Sequence, residues 1–403
     1  MAPGVPAMER RWALVGLLAL LAVGLAVVLA VRSLRGSEGA GSTLAPEART
    51  VVVAEEGREP YVSTVHMVRA GPGGPRVARS FEALSAPDLA VSPDGSRLYV
   101  ISGDRRPGDE LVAFDVATGE AEMTVRLQPE GRLFRVSGWP FPCCPTMELS
   151  PDARWLFLLW VTPGDEGERT VFVATLDTVE GRMLPEMMPL DECEPGIQAL
   201  VPLPRVRRLA VVCGRSADVR FLEASETGSV AASAQVELPG VRDVRALPYG
   251  PFDFGDLAWA VGSPDRRLLY VVSLNGHVSV VDLESQRLVD EDQIDLGPDR
   301  HVGYGQVHLS GTGESMFLGL GPMSDGHDVS TATQVIEVDT STWAELRTVA
   351  AGTRFGSFAV TRGADDVYVA SAPKGLLLLD MGTGRVTEVP GVGQRHEMLE
   401  TAG

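Results

Sequence analysis

A short sequence phrase returns six times after residue 85, and it constrains the fold more than any other feature of the chain. Each copy consists of an apolar strand, a tight turn, a second apolar strand and then a hairpin. In the clearest copy the turn is Ser92-Pro-Asp-Gly, and the third strand ends at Asp115. A unit of this length cannot bury its own apolar faces, so it must stack on its neighbours. The repeat therefore predicts an array of stacked β-sheet units.

Two marks align the six units. The first mark is the turn between strands one and two, in which Pro presets φ while Asp and Gly suit the positions that follow. Its six copies begin at Ser92, Ser150, Leu203, Ser263, Ser310 and Thr361. The second mark is an acidic residue near the end of strand three: Asp115, Asp177, Glu223, Asp282, Asp339 and Asp380. The spacing runs from 41 residues (Asp339 to Asp380) to 62 (Asp115 to Asp177), so four strands fit even the shortest unit and longer units carry long loops.

The two ends of the repeat region complete one another. Strand-like runs that begin at Thr50, Tyr61 and Arg76 fit strands two, three and four of a unit that lacks its first strand, and His396-Glu-Met-Leu-Glu fits a lone first strand. Pairing them closes the array and removes its open edge. The sequence therefore predicts an all-β fold over residues 50–403: a seven-bladed β-propeller in which N- and C-terminal strands close one blade. Six or eight blades are the alternatives.

The N-terminal segment predicts one membrane crossing. Residues 12–31 contain no charged side chain and would span about 30 Å as a helix. We expect residues 1–11 to form a short tail, 12–31 an uncleaved transmembrane anchor and 32–49 a flexible linker. A cleaved secretory signal is the alternative, although such signals have a shorter apolar stretch. Arginines flank the span on both sides, so charge does not orient it. A large domain behind a short tail usually translocates, which predicts an extracytoplasmic propeller at the cell membrane, with a cytoplasmic one as the alternative.

Residues 89–100 and the matching turns carry a family resemblance. A Ser-Pro-Asp-Gly turn before a Leu-Tyr-Val strand resembles the repeats of bacterial YVTN and WD40-like propellers, the quinoprotein amine dehydrogenase-like class. The resemblance extends over residues 50–403 and implies a binding platform, a surface protein or the scaffold of a periplasmic dehydrogenase, among which fold alone does not choose. The Gly-His and Trp-Asp marks of eukaryotic WD40 repeats are missing from the expected places.

The four cysteines all fall on one predicted face, which we call the loop face. It carries the segments that lead into each first strand and the loops between strands two and three. Cys143, Cys144 and Cys193 precede first strands, and Cys213 ends the second strand of the unit that Cys193 leads into. A Cys193–Cys213 disulfide is therefore favoured, and an even cysteine count fits an extracytoplasmic domain. The alternatives are a bridge from Cys143 or Cys144 to Cys193, a bridge between Cys143 and Cys144, or a four-cysteine metal site, which lacks paired CxxC spacing.

Other candidate binding residues fall on the same face. The channel-mouth candidates precede inner strands and could hold an anionic ligand: His301, Arg354, Arg395 and His396. The exposed aromatic candidates stand in two lead-in segments and would contact a partner: Trp139, Phe141, Phe252 and Phe254. A long loop gathers Asp325, His327 and Asp328, but we expect a solvated loop there and predict no metal.

Charge and motifs limit the function. A formal charge of −19 argues against nucleic acid, since phosphate neutralisation needs a basic surface. The sequence has no glycine-rich phosphate loop, nucleophile elbow or HExxH helix. We therefore expect no catalytic residue and no cofactor: a membrane-anchored platform that binds a protein or a small anionic ligand on its loop face. The alternative is a periplasmic redox or dehydrogenase-type subunit that uses the vicinal Cys143 and Cys144.

Overall fold

The structure is a computed structural model. It describes residues 50–56, 62–69, 74–84, 88–102, 110–127, 135–136, 147–163, 169–184, 187–190, 197–203, 208–213, 217–224, 230–242, 257–322, 331–361, 366–371, 374–392 and 396–402. The predicted tail, anchor and linker lie outside these residues. Within the described ranges, no helix combines the length and the apolar character that a membrane crossing requires.

One sheet joins the two ends of the chain. It contains β1 (Thr50–Glu56), β2 (Val62–Arg69), β3 (Arg76–Leu84) and β30 (His396–Ala402), in the order β3-β2-β1-β30. Strand β30 runs antiparallel to β1, with Ala402 opposite Thr50 and His396 opposite Glu55. The C-terminal strand thus supplies the first strand of a sheet whose other strands come from the N-terminal side, as predicted.

Five more sheets are four-stranded antiparallel meanders in sequence order. The first has strands β4 (Asp88–Val91), β5 (Arg97–Ser102), β6 (Glu110–Asp115) and β7 (Ala121–Arg126). The next two have β14 (Ile197–Pro202), β15 (Arg208–Cys213), β16 (Asp218–Ala224) and β17 (Val230–Glu237), then β18 (Leu257–Gly262), β19 (Leu268–Ser273), β20 (His277–Asp282) and β21 (Arg287–Gln293). The last two have β22 (Arg300–Leu309), β23 (Ser315–Pro322), β24 (Ala332–Asp339) and β25 (Glu345–Phe355), then β26 (Ser357–Val360), β27 (Asp366–Ser371), β28 (Gly375–Asp380) and β29 (Arg385–Glu388).

The remaining sheet is irregular and has six strands: β8 (Arg135–Val136), β9 (Met147–Leu149), β10 (Trp155–Pro163), β11 (Arg169–Asp177), β12 (Arg182–Met183) and β13 (Met188–Pro189). Both β8 and β9 pair with β10, and both β12 and β13 pair with β11. Its first and fourth positions are therefore each divided between two short strands. The one helix within the described residues, α1 (Pro239–Arg242), has a single turn.

The innermost strands close a ring. They contact one another in the cyclic order β30, β4, β9, β14, β18, β22, β26 and back to β30. Six regular four-stranded blades and the irregular sheet therefore surround a common axis. The fold is an all-β propeller, and this part of the predicted fold class is confirmed.

Apolar layers between adjacent sheets hold the ring together. Val211 and Val212 of β15 are consecutive and both fully buried, although they point to opposite sides of their sheet. On one side Val212 and Phe221 pack in a cluster with Leu269 of the next blade. Since both faces of a blade are covered, its inner strands are continuous apolar runs rather than alternating ones.

The first sequence mark is a hydrogen-bonded turn on the face opposite the loop face, which we call the turn face. The hydroxyl of Ser92 donates to Asp94 Oδ1 over 2.6 Å and accepts the backbone N–H of Arg97 over 2.8 Å. Ser150 and Ser263 make the same two kinds of bond in their own turns. The hydrogen bond from Ser92 is the main reason that the pKa of Asp94 lies below its usual range.

The second mark caps the hairpin between strands three and four on that same face. Asp115 Oδ1 accepts the backbone N–H of Thr118 over 2.5 Å, and this bond lowers the pKa of Asp115. The residue four positions after the aspartate adopts a left-handed conformation, as in Gly119 with φ 71° and Gln286 with φ 55°. The two marks are therefore turn chemistry that satisfies backbone groups.

Candidate functional site

The meander order places the functional candidates on one face. Each regular blade enters its first strand from the loop face, so its second-to-third loop and its exit return there. In the β18–β21 blade these two elements are the loop Leu274–Gly276 and the segment from Ile294 to Asp299 that leads into β22.

These two elements form a depression between the β18–β21 and β22–β25 blades, which we call the β21–β22 depression. Its volume is about 440 Å³. Its lining residues are Asn275, Gln293, Ile294, Asp295, Leu296, Gly297, Asp299 and Arg300. This volume lies within the usual range for small-molecule sites, roughly 300–1,000 Å³.

Backbone and amide hydrogen bonds fix the walls of the depression. Gln293 Nε2 donates to the carbonyl oxygen of Asn275 over 2.7 Å, and the Ile294 N–H donates to the Gly276 carbonyl over 2.9 Å. Gly276 has φ 86°, and a methyl group there would lie 2.9 Å from the carbonyl oxygen of Ile294. Glycine is therefore required for this approach of the loop to the lead-in segment.

The rim adopts an unusual backbone conformation. Asp295 Oδ1 accepts the N–H of Gly297 over 2.9 Å, and Gly297 has φ 71°. Two residues later Asp299 also has a positive φ, 62°. Aspartate tolerates this region better than most residues, but still at a cost in conformational energy. The chain keeps the Asp299 carboxylate and the next residue, Arg300, in place at the rim despite that cost.

The charged side chains at the rim lack ion-pair partners among the described residues. Asp295, Asp299 and Arg300 are exposed, and no ion pair reaches any of the three within the described part of the chain. The lower wall is apolar, since Ile294 and Leu296 are buried. The depression therefore combines two carboxylates, one guanidinium and two amide side chains above an apolar base.

Buried carboxylates elsewhere are committed to structural partners. Asp218 is fully buried and accepts hydrogen bonds from Gln235 and Arg220. Glu337 is also buried and pairs with Arg347 of the neighbouring strand. These pairs supply the compensation that buried charge requires and leave neither carboxylate available for acid–base chemistry.

One half-buried histidine lies between two innermost strands. The ring of His308 in β22 packs edge-on against Phe358 in β26, with 4.6 Å between ring centroids. Desolvation lowers the pKa of His308 to about 4, so the ring is neutral at physiological pH. It contributes packing rather than charge.

The predicted channel-mouth residues do not share one environment. His301 is only 2% exposed, and a methyl group on Gly321 would lie 3.0 Å from its Cε1 atom. Arg354, near the end of β25, is exposed. Arg395 lies outside the described residues, and of His396 only the backbone is described, as the first residue of β30. The burial of His301 removes it from a solvent-facing ring in this structure, while a cationic mouth formed by the others stays a prediction.

Arg300 is the exposed cation that sequence reasoning missed. It directly precedes His301, and successive residues of a strand point to opposite sides. The sequence-based prediction named His301, whose side chain is buried, and not Arg300, whose side chain is exposed. The available signal was Gly297-Pro-Asp, which marks a turn immediately before β22.

The structure describes one of the four cysteines for which a bridge was predicted. Cys213 ends β15, is fully buried and is disulfide-bonded; Ile197 lies opposite it in the register. Cys143, Cys144 and Cys193 lie outside the described residues, so the connectivity stays a prediction. The same holds for the aromatic candidates Trp139, Phe141, Phe252 and Phe254, and for Asp325, His327 and Asp328. Among the described residues, no group of three or more His, Cys, Asp and Glu side chains has the arrangement of a metal site.

Comparison with known proteins supports the fold and not a family. No protein-family model matches the chain, and no curated protein matches it. The solved periplasmic gluconolactonase PpgL of Pseudomonas aeruginosa is similar, with TM-score 0.57 and 16% identity over 89% of this chain and 99% of that one. A functionally unknown protein from Desulfotomaculum acetoxidans DSM 771 has TM-score 0.57 and 10% identity, covering 86% of this chain and 97% of its own.

Dihydro-heme d1 dehydrogenase NirN, solved in complex with DHE, has TM-score 0.51 and 17% identity, covering 86% of this chain and 65% of its own. The structural similarity shows that these neighbours share a propeller fold with this chain. Because their sequence identity to it is low and their names differ, no activity is transferred from them.

Proposed function

We propose that this chain is a membrane-anchored, extracytoplasmic β-propeller that binds a ligand or protein partner through its loop face and has no catalytic activity. We count the irregular sheet as a seventh blade, because its strand β9 stands between β4 and β14 in the ring. The observation that carries the proposal is the β21–β22 depression, whose rim charges form no ion pair among the described residues. Uncompensated charges around a concave surface are available to a ligand.

The position of Cys213 supports an oxidising compartment. Disulfides persist in secreted and extracytoplasmic domains and are rare in the cytosol. Ile197 is opposite Cys213, and Cys193 stands four residues before Ile197 in the same lead-in segment. We therefore retain Cys193 as the proposed partner of Cys213, with the bridge fastening the segment that leads into β14 to the end of β15.

The single lysine of the sequence gives a direct test of membrane orientation. Lys374 is exposed in the loop between β27 and β28, on the loop face. An amine-reactive biotin that cannot cross the cell membrane should label Lys374 equally in intact and lysed cells, as measured by mass spectrometry of its peptide. A Lys374→Arg variant controls for labelling of the N-terminal amine. Labelling that requires lysis would place the propeller in the cytoplasm and contradict the proposal.

The same lysine also tests whether a protein partner binds the loop face or the turn face. A photo-crosslinker attached at Lys374 should capture neighbours in intact cells. In the matched control, Lys374→Arg combined with Arg287→Lys, the only lysine moves to the turn-face end of exposed strand β21. We expect partner adducts from position 374 and none from position 287. Equal adducts from both positions would contradict a loop-face platform for proteins.

The redox alternative depends on Cys143 and Cys144. Under this alternative the purified full chain would carry a stoichiometric metal or quinone, and Cys144→Ser would abolish its redox behaviour without unfolding it. A chain that contains neither group, with an unchanged melting curve in Cys144→Ser, favours the platform.

A further inference from the structure

We propose that the β21–β22 depression binds a small zwitterion, a free amino acid or a dipeptide, that carries both a primary ammonium and a carboxylate. This inference deepens the proposed function, and it rests on the loop face being the binding face. It differs from the small anionic ligand expected from sequence, because the cation that lines the depression is accompanied by two carboxylates.

The charges of the lining residues favour a ligand that carries both signs. Asp295 and Asp299 offer acceptors to an ammonium group, and Arg300 offers a planar set of donors that matches a carboxylate. A purely anionic ligand would meet both aspartates, and a purely cationic one would leave the guanidinium without a counter-charge. A zwitterion offers a counter-charge to each of the two kinds of group.

The acidic residues around the depression favour binding of the ligand's ammonium group. Strand β21, beside the depression, carries the exposed acids Asp290, Glu291 and Asp292, and the whole chain has a formal charge of −19. This negative field raises the local concentration of cationic groups. The single guanidinium at the rim then provides orientation, since it can hold the carboxylate end on one side only.

The amides and the base of the depression suit a small polar ligand with a short apolar part. Asn275 Oδ1 accepts hydrogen bonds from Ser273 Oγ and the His277 N–H, so this amide is oriented before a ligand arrives. Ile294 and Leu296 provide an apolar base. No aromatic ring stands among the described lining residues, which disfavours a sugar that would stack on one.

The rim is rigid enough for such recognition. Asp295 accepts the Gly297 N–H, and Gly297 and Asp299 both have positive φ, so the backbone direction at Asp299 and Arg300 is set before binding. A preorganised site loses less entropy when a ligand binds.

The test uses the full chain in lipid nanodiscs and isothermal titration calorimetry with four probes. L-alanyl-L-alanine carries both charges, its methyl ester only the ammonium, N-acetyl-L-alanyl-L-alanine only the carboxylate, and glucose neither. We expect measurable binding of the dipeptide and binding at least about tenfold weaker for the other three, since each lost charged hydrogen bond has an effect of this size.

Two variants test the recognition of the two charged groups of the ligand. Asp299→Asn keeps a residue that tolerates positive φ and removes the charge, and Arg300→Gln removes the guanidinium. Each should weaken dipeptide binding about tenfold or more. The matched control is Glu120→Gln, which removes one exposed carboxylate on the turn face, away from the depression, and should change affinity less than twofold.

Several outcomes would overturn the inference: no dipeptide binding at millimolar concentration, equal binding of the ester or the N-acetyl compound, preference for glucose, or equal effects of Glu120→Gln and Asp299→Asn. These results are separate from the labelling and crosslinking at Lys374. A chain that passes those tests but binds no dipeptide remains a loop-face platform with a different ligand.

Discussion

Two serines in one turn allow the contribution of the first sequence mark to be measured. Ser92 and Ser96 both donate a hydroxyl hydrogen bond to Asp94 Oδ1, over 2.6 and 2.8 Å. Ser92 is buried and also accepts the backbone N–H of Arg97 over 2.8 Å, whereas Ser96 is exposed. Ser92→Ala and Ser96→Ala therefore remove the same bond to the aspartate, and only the first also removes the acceptor of a backbone N–H.

The magnitudes follow from this difference. A net side-chain hydrogen bond is worth about 1 kcal/mol, and a partly buried N–H that loses its acceptor costs about 1 kcal/mol more. We expect Ser92→Ala to lower the free energy of unfolding by about 2 kcal/mol. Ser96→Ala should lower it by less than about 0.5 kcal/mol, because water replaces the lost bond of an exposed hydroxyl.

The assay is urea unfolding of the full chain at pH 7, followed by tryptophan fluorescence, with the midpoint and the m-value fitted for each variant. Both variants should keep the wild-type m-value, since neither changes the surface exposed on unfolding. Equal losses in the two variants, or a larger loss for Ser96→Ala, would refute the assignment of the stabilisation to the Arg97 N–H.

The turn also predicts a pH dependence. The hydrogen bond from Ser92 is the largest cause that lowers the pKa of Asp94 below its ordinary value of 3.8. A lowered carboxyl pKa contributes stability that is present above the unfolded value and is lost as the pH falls through the folded one. The difference in the free energy of unfolding between wild type and Ser92→Ala should therefore decrease below about pH 4. A difference that stays constant down to pH 2 would contradict this reasoning.

Three further predictions follow from other elements. Gln286→Gly, at φ 55°, should raise the free energy of unfolding by about 0.5 kcal/mol in urea, whereas Ser285→Gly beside it should lower it. The burial that lowers the pKa of His308 to about 4 opposes protonation in the folded state, so stability should fall as the pH drops from about 6.5 to 4; His308→Gln should flatten that part of the curve. Ending the chain before His396 removes β30 and exposes the edge of β1, so size-exclusion chromatography should show aggregation, and a stable monomer would show that closure is dispensable.

Local turn chemistry explains why so much of the fold was predictable. The Ser92 and Asp115 marks recur because their counterparts satisfy the same backbone groups in other units, as Ser150 does in its turn and Asp282 in its hairpin, so their spacing reveals the strand order directly. The pairing of β30 with β1 followed from counting strands at the two ends. The divided strands of the irregular sheet were not predicted. Three prolines, Pro140, Pro142 and Pro145, separate β8 from β9, and proline cannot donate to a β-ladder, so one continuous first strand was excluded there.

The site was less predictable because it depends on register and on segments outside the repeat. Arg300 and His301 are adjacent, and only the pairing of β22 with β23 decides which side chain faces solvent. The β21–β22 depression arises where the loop at Asn275 meets the segment from Asp295 to Asp299, two stretches that are not marked by the repeat. Their proximity follows from the meander of a single blade, which returns both stretches to the loop face, and hydrophobic periodicity does not encode it.

The two faces of the ring differ in how far their charged side chains are bound to other groups, although Asp295 on the loop face also accepts a backbone N–H. On the turn face, Asp94 and Asp115 accept backbone N–H groups, and their lowered pKa values record that commitment. On the loop face, Asp299 and Arg300 have no ion-pair partner among the described residues, and the backbone holds Asp299 in a costly conformation. If this division reflects function, stability and binding should separate by face. Ser92→Ala should lower the unfolding midpoint and leave dipeptide affinity unchanged. Asp299→Asn should weaken dipeptide binding and leave the unfolding midpoint unchanged. A variant that changed both the midpoint and the affinity would argue against this separation of stability and binding.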